Sequence, residues 1–135
     1  MVKKNDILEV KIVDISDEGY GVAKVDGFTL FIENSITDEI VIVRVEKVLK
    51  SFGFAKVLEL VRPSAYRVVS KDPLLTRVGT MPLQHIAYPY QLTLKRNWVI
   101  KAINQYLAVD EKIIYETIGA DDPLHYRNKA QIPLR

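Results

Sequence analysis

The chain has 135 residues, of which 48% are hydrophobic and 27% are charged, and its formal net charge is +2. This balance is typical of a folded globular protein and excludes a disordered or fibrous chain. The net charge is too small to indicate nucleic acid as a partner. No apolar run approaches the roughly 20 residues that span a bilayer, and no signal peptide is present, so we expect no membrane association and a cytoplasmic location.

The chain contains no cysteine, which excludes disulfides, thiolate nucleophiles and cysteine-held zinc or iron–sulfur clusters. Its two histidines, His85 and His125, are far apart and show no metal-ligand spacing. The sequence also lacks a phosphate-binding loop, a Gly-x-Ser-x-Gly elbow and a His-Glu-x-x-His helix. We therefore expect neither a metal site nor a catalytic residue in this chain.

Apolar and polar side chains alternate at a period of two through residues 1–62, and the breaks between segments are rich in Gly, Asp and Asn. The pattern predicts five strands, at residues 7–15, 22–25, 28–32, 39–48 and 54–60. Asp26-Gly27 is a strong signal for a hairpin between the second and third strands. Five short strands at this spacing predict a small closed β-barrel.

The rest of the chain predicts less regular structure. Residues 63–88 show no period and contain three prolines, which indicates an irregular connector. Pro89 suits the first turn of a helix, predicted at residues 89–107, and a short strand is predicted at residues 113–117. These elements are too few for a complete second domain, so we expect residues 89–135 to begin an incomplete α+β domain. The predicted divisions are therefore 1–62, 63–88 and 89–135.

Small barrels bind single-stranded nucleic acid by stacking bases on aromatic rings beside basic side chains. Tyr20 and Phe52, which adjoin glycines, are predicted to be exposed, whereas Phe31 and Phe54 are predicted to fill the core. The basic side chains that could accompany the rings are Lys24, Arg44, Lys47, Lys50 and Lys56. An ordinary solvated sheet face explains these basic residues equally well.

A second candidate for RNA binding is the run His125-Tyr126-Arg127-Asn128-Lys129. Its ring, forked guanidinium, amide and ammonium groups suit the backbone and base edges of RNA. A strand whose alternate members face water is the competing interpretation.

Several segments in order carry a family resemblance. They are Gly19-Tyr20-Gly21-Val22-Ala23-Lys24-Val25, residues 28–32, Asp38-Glu39, residues 64–67, Leu83-Gln84-His85-Ile86-Ala87-Tyr88 and Tyr126-Arg127-Asn128-Lys129. Together they resemble the N-terminal portion of bacterial RNA (uracil-5-)-methyltransferases that modify 23S ribosomal RNA, whose first module is a TRAM domain. Members usually have glycine before the glutamate where this chain has Asp38.

One departure from the family concerns its iron–sulfur motif. Many members carry Cys-Pro and then Cys-Gly-Gly-Cys before the Leu-Gln-His segment, whereas this chain has Asp72-Pro73 and then Val78-Gly79-Thr80-Met81. The resemblance thus indicates a branch without an iron–sulfur cluster. We expect apolar packing of Val78 and Met81 to replace the cluster as a cross-link.

The resemblance implies that a complete protein transfers a methyl group from S-adenosylmethionine to carbon 5 of a uracil flipped out of its RNA. The family's catalytic groups and methyl-donor site lie in a C-terminal domain, so we expect this chain alone to dock RNA and to be inactive. The predicted RNA-binding residues are Tyr20, Lys24, Arg44, Lys47, Phe52, Arg127, Asn128 and Lys129. Three alternatives stay open: a free-standing TRAM-type RNA-binding protein, a protein-interaction adaptor, and transfer RNA as the substrate.

Overall fold

The computed structural model describes residues 1–70, 72–74, 81–129 and 131. Six strands form one mixed sheet in the order β1-β5-β6-β4-β3-β2. The strands are β1 (Ile7–Lys11), β2 (Asp14–Ile15), β3 (Gly21–Val25), β4 (Phe28–Ile32), β5 (Ile40–Val48) and β6 (Phe52–Arg62). They are followed by the helix α1 (Tyr88–Asn104) and a single 3₁₀ turn at Glu111–Ile113. The predicted mainly β fold with one helix is confirmed.

The first predicted strand is divided in two, and this division closes the barrel. β1 pairs antiparallel with β5, whereas β2 pairs antiparallel with β3 near the opposite end of the strand order. At the division, the Ile12 N–H donates to the carbonyl of Glu39 (2.9 Å) and the Val13 N–H donates to the carbonyl of Val22 (2.8 Å). Because one stretch of chain pairs with both ends of the sheet, the sheet curls on itself and leaves no long free edge.

One apolar cluster fills the interior of the barrel. Its fully buried members are Ile12, Ala23, Leu30, Ile32, Val41, Val43 and Val45. Within a strand these residues are two apart, as the predicted period of two requires, because successive side chains of a strand point to opposite faces. The alternation in the sequence therefore identifies the inner face of the barrel.

The helix confirms one prediction, and the segment after it corrects another. α1 begins at Tyr88, carries Pro89 in its first turn and ends at Asn104 instead of residue 107. The strand predicted at residues 113–117 does not form within this chain, since residues 114–120 form neither a helix nor a sheet pairing. A strand needs a neighbouring edge, and the barrel has closed its own. In the described residues, no helix has the length and apolarity needed to cross a membrane.

α1 is attached to the barrel through a second apolar cluster, whose buried members are Ile15, Ile36, Ile86 and Leu94. Two polar contacts join the same surfaces. The Trp98 Nε1–H donates to the carbonyl of Ile15 (2.9 Å), and the Lys101 ammonium forms an ion pair with Asp14. The barrel, the connector and α1 are therefore packed together, and the domain boundaries predicted from the sequence remain a prediction.

Pro82 and Leu83 connect the connector to the barrel. The turn that contains Gly19 contacts both residues: a Cβ on Gly19 would lie 2.9 Å from the Cβ of Pro82. Val78 lies outside the described residues and Met81 is 38% exposed, so the predicted packing of this pair stays a prediction. Gly19 also has a φ of +88°, so both its backbone and its surroundings favour glycine.

Glu39, at the entrance to β5, is fully buried and ties the connector to the barrel. Its carboxylate accepts hydrogen bonds from Arg67 Nε and Nη2 (both 2.7 Å), and from the N–H groups of Ile36 (2.9 Å) and Ser64 (3.0 Å). Burial alone would raise the pKa of Glu39, but the hydrogen bonds from Arg67, Ser64 and Ile36 outweigh burial and leave this pKa below its ordinary value. Glu39 is therefore an ionised, fully paired buried acid.

His85 lies in the connector and is also a buried polar group. Its Nε2 lies 3.1 Å from the carbonyl oxygen of Ser35, and because a carbonyl only accepts, Nε2 carries the proton. In the described structure Nδ1 is buried without a hydrogen-bond partner. Burial holds the pKa of His85 below its ordinary value, although the hydrogen bond to Ser35 opposes the shift. The buried imidazole is therefore neutral.

Replacing the buried acid tests the Glu39–Arg67 attachment. Glu39→Gln removes the negative charge and leaves the half-buried Arg67 guanidinium unpaired, so we expect a loss of about 3 kcal/mol in the free energy of unfolding. Asp38→Asn is the matched control, because Asp38 forms only an exposed ion pair with Lys11 and its loss should cost about 0–1 kcal/mol. Urea unfolding followed by circular dichroism measures both, and equal losses would contradict the role given to Glu39.

The buried neutral His85 predicts a pH dependence of stability. Its pKa is lower in the folded than in the unfolded chain, so the unfolded chain binds more protons as the pH falls through the ordinary histidine value of about 6.5. The melting temperature should therefore fall between about pH 7.5 and about pH 5.5. His85→Gln keeps an amide N–H for the Ser35 carbonyl but cannot titrate, so its melting temperature should vary less in this window. His125→Asn, at an exposed site, should retain the dependence of the parent.

Candidate nucleic-acid interface

Four aromatic rings form a cluster on the outside of the barrel, which we call the aromatic face. Phe31 lies on β4, Phe52 and Phe54 lie on β6, and Tyr20 immediately precedes β3. Their ring centroids are 5.6–6.4 Å apart, and four of the five contacts are edge-to-face. All four side chains are partly exposed. The rings thus hold one another in place while leaving part of their surface to solvent.

The outward position of Phe31 and Phe54 corrects the prediction that they fill the core. Phe31 stands between two fully buried residues of β4, and Phe54 stands between two buried residues of β6. Since alternate side chains of a strand point to opposite faces, both phenylalanines face outward. Phe28 packs against the core instead. The sequence signal that identifies Phe31 and Phe54 as outward-facing is that each is adjacent to a core residue of its strand, Leu30 or Ala55. Their apolar character alone does not distinguish them from core residues.

Gly53 separates the two rings of β6 and allows a close approach of strands. A Cβ at Gly53 would lie 2.7 Å from the carbonyl oxygen of Lys47. The absence of a side chain therefore lets β6 lie against the end of β5, where a shift of register places Lys47 opposite Phe54. This local geometry brings a lysine beside the aromatic face.

Other basic residues surround the same rings. Arg44 on β5 lies opposite Lys56 on β6, and both are exposed. On the other side, the ammonium of Lys24 donates to the hydroxyl of Thr29 (2.6 Å), and Thr29 lies opposite Phe52. The structure thus gathers five of the predicted RNA-binding residues on one surface: Tyr20, Lys24, Arg44, Lys47 and Phe52.

The second predicted cluster does not join this surface. Arg127, Asn128 and Lys129 are exposed, and the Arg127 guanidinium lies 5.9 Å from the ring centroid of Tyr126. Within the described ranges, no hydrogen bond or ion pair connects residues 126–129 with the aromatic face. A role of these residues in RNA binding stays a prediction.

The residues present do not fit a metal centre. In the part of the chain that the structure describes, no three His, Asp or Glu side chains are grouped so that they could hold a metal ion. An iron–sulfur cluster needs thiolates, and the chain has no cysteine.

Comparison with known proteins identifies the barrel. The sequence profile of the TRAM domain family matches residues 2–58, which include every ring of the aromatic face. Residues 2–58 are a TRAM domain. The end of β6, the connector and α1 lie outside the matched part, so the TRAM domain accounts for most of the barrel and for no part of α1.

Relatives extend the comparison beyond the TRAM domain. The chain is 49% identical over 134 residues to a protein of Enterococcus faecalis and 42% identical over 135 residues to one of Streptococcus mutans, each described as an uncharacterized RNA methyltransferase. These alignments cover 99% and 100% of this chain but only 29% and 30% of the relatives. The chain is thus homologous to RNA methyltransferases and spans less than a third of their length.

Among solved structures, the chain matches the Pyrococcus abyssi tRNA (uracil-54, C5)-methyltransferase in complex with S-adenosyl-L-homocysteine. The sequence identity is 26% and the TM-score is 0.49, and the match covers 71% of this chain and 21% of that protein.

Proposed function

We propose that this chain docks RNA for an RNA (uracil-5-)-methyltransferase, and that the aromatic face of its TRAM domain makes the contact. The observation that carries the proposal is the cluster of four partly exposed rings bordered by Lys24, Lys47 and Lys56. Aromatic rings stack with unpaired bases, and ammonium groups meet the phosphates that connect those bases. An ordinary solvated sheet face would not need four rings on its outer side.

The enzymatic part of the proposal belongs to the complete protein. The name of the relatives supports methyl transfer to RNA. S-adenosylmethionine as the methyl donor, carbon 5 of uracil as the acceptor and 23S rRNA as the substrate rest on the order of segments from Gly19 to Lys129 that resemble that family. Transfer RNA is the alternative substrate. The family uses a cysteine nucleophile and this chain has none, so we propose that the chain alone is inactive and acts by positioning RNA.

The proposed contact combines two physical contributions. Each base stacked on an aromatic ring contributes about 1–3 kcal/mol to binding, with little dependence on the identity of the base. Each phosphate that meets a lysine releases a counterion, so the affinity decreases as the salt concentration rises. Because the net charge of the chain is only +2, the attraction must come from the local grouping of lysines around the rings.

Removal of single rings tests the aromatic face. Tyr20→Leu and Phe52→Leu keep apolar bulk but lose the flat ring, so each should weaken binding of a short single-stranded, uridine-containing RNA by about tenfold. Fluorescence anisotropy with a labelled RNA measures the dissociation constants. Tyr106→Leu is the matched control, because Tyr106 is 85% exposed, follows the end of α1 and is not one of the rings of the aromatic face.

Two results would count against this assignment. Unchanged affinity in both ring variants, with folding verified by circular dichroism, would remove the aromatic face as the RNA site. An RNA affinity of the parent chain that does not fall with added salt would favour the protein-interaction adaptor, since RNA binding through lysines releases counterions.

The mass of the native protein separates the proposal from its main alternative, a free-standing TRAM-type RNA-binding protein. If the chain is part of a methyltransferase of the relatives' length, the intact mass measured in its own cell should be several times 15.4 kDa. Intact-mass spectrometry of the purified native protein gives this value. A native mass of 15.4 kDa would contradict the enzymatic part of the proposal and leave RNA binding alone.

A further inference from the structure

Residues 114–118 have the character of a β-strand without a neighbouring strand. The sequence here is rich in β-branched and aromatic side chains, namely Ile114, Tyr115, Thr117 and Ile118. The backbone of Ile114 is extended, with φ −97° and ψ 100°. Within the described residues, the N–H and C=O groups of Tyr115, Glu116 and Ile118 have no hydrogen-bond partner. The segment therefore presents backbone groups of the kind that another strand pairs with.

One side of this segment is held against α1. The Arg96 guanidinium donates to the carbonyl oxygens of Ile114 (2.9 Å) and Glu111 (2.9 Å). Further along, the Thr117 hydroxyl donates to the carbonyl of Leu92 (2.9 Å). Successive turns of the helix thus hold Ile114 and Thr117, so the segment is set in place before any partner arrives.

Large apolar side chains in and next to the segment are uncovered. Ile113 is 65% exposed, Tyr115 is 87% exposed and Ile118 is 96% exposed. Several large apolar side chains on the surface of one short stretch indicate a contact surface. Free backbone groups together with exposed β-branched and aromatic side chains are the requirements for adding a strand to a strand edge.

We propose that residues 114–118 pair with a β-strand from the remaining part of the same polypeptide, so that this segment becomes one strand of a sheet in the complete protein. The inference rests on the proposed function, in which the chain is one part of a longer RNA methyltransferase. The Enterococcus faecalis relative aligns with 99% of this chain, yet the chain covers only 29% of it, so most of that polypeptide lies outside the matched part and is available to supply the strand.

This pairing would connect the aromatic face to the rest of the enzyme through packed structure. α1 contacts the barrel through the hydrogen bond from Trp98 to Ile15 and through the ion pair of Lys101 with Asp14. The same helix carries Arg96, which holds residues 114–118. A sheet that includes this segment therefore sets the orientation of the RNA-binding surface relative to the remaining polypeptide.

Hydrogen exchange of the complete protein and of the 135-residue chain tests the pairing. We expect the amides of residues 115–118 to exchange at least about 100-fold more slowly in the complete protein than in the isolated chain, because strand pairing protects them. Equal exchange rates in the two proteins would overturn the proposal. Protection already present in the isolated chain, and increasing with its concentration, would assign the surface to a second copy and would also overturn it.

Proline variants provide a second measurement. Backbone amides of a strand point alternately to its two sides. Tyr115→Pro therefore removes an amide on one side, and Glu116→Pro removes an amide on the other side. Tyr115→Ala and Glu116→Ala are the matched controls. In the isolated chain, proline and alanine should give equal melting temperatures. In the complete protein, one of the proline variants should melt several degrees below its alanine control, and equal melting of both pairs would overturn the proposal.

The outcome is independent of the test of the aromatic face. RNA affinity of the isolated chain should be the same in all four variants at residues 115 and 116, because neither residue belongs to the aromatic face. Loss of RNA binding in the ring variants with no protection of residues 115–118 would retain the proposed function and reject the strand pairing. The reverse result would retain the pairing and reject the RNA site.

Discussion

The structure depends on one buried ion pair, between Glu39 at the entrance to β5 and Arg67 in the connector. A fully buried carboxylate is stable only when every acceptor site is paired, and Glu39 achieves this with two bonds from Arg67 and the N–H groups of Ile36 and Ser64. Separation of the connector from the barrel would therefore leave the buried Glu39 carboxylate without the Arg67 guanidinium that pairs with it. Its fixed position in turn brings Ile86 to the second apolar cluster, where α1 packs.

The aromatic face shows how a small barrel can carry partly exposed rings without weakening its core. The inner side chains of β4 and β6 fill the barrel, while the outer rings of these strands contact one another. Because each ring is held by its neighbours, little side-chain freedom remains to be lost when a base stacks on it. Attachment of α1 to this barrel gives the rings a defined orientation relative to residues 114–118.

Much of the fold could be predicted because it depends on neighbours in the sequence. Alternation at a period of two located the strands, and Pro89 marked the first turn of α1. Asp26-Gly27 predicted the hairpin, and both residues have the positive φ that such a turn requires, 49° and 81°. For the site, the glycines beside Tyr20 and Phe52 indicated that these two rings are exposed. The sequence did not show that the rings share one surface with Lys24, Arg44 and Lys47.

Sequence alone thus determined where strands, turns and the helix form and, through the absence of cysteine, which chemistry is missing. Only the tertiary structure decided which partners these elements meet. Four features depend on segments distant in the sequence: the pairing of β1 and β2 with opposite ends of the sheet, the outward side of Phe31 and Phe54, the contact of Glu39 with Arg67, and the lack of a strand partner for residues 114–118 among the described residues. Secondary-structure preferences arise from adjacent residues. Which side of a strand is buried, and which strands pair, depends on contacts with segments distant in the sequence.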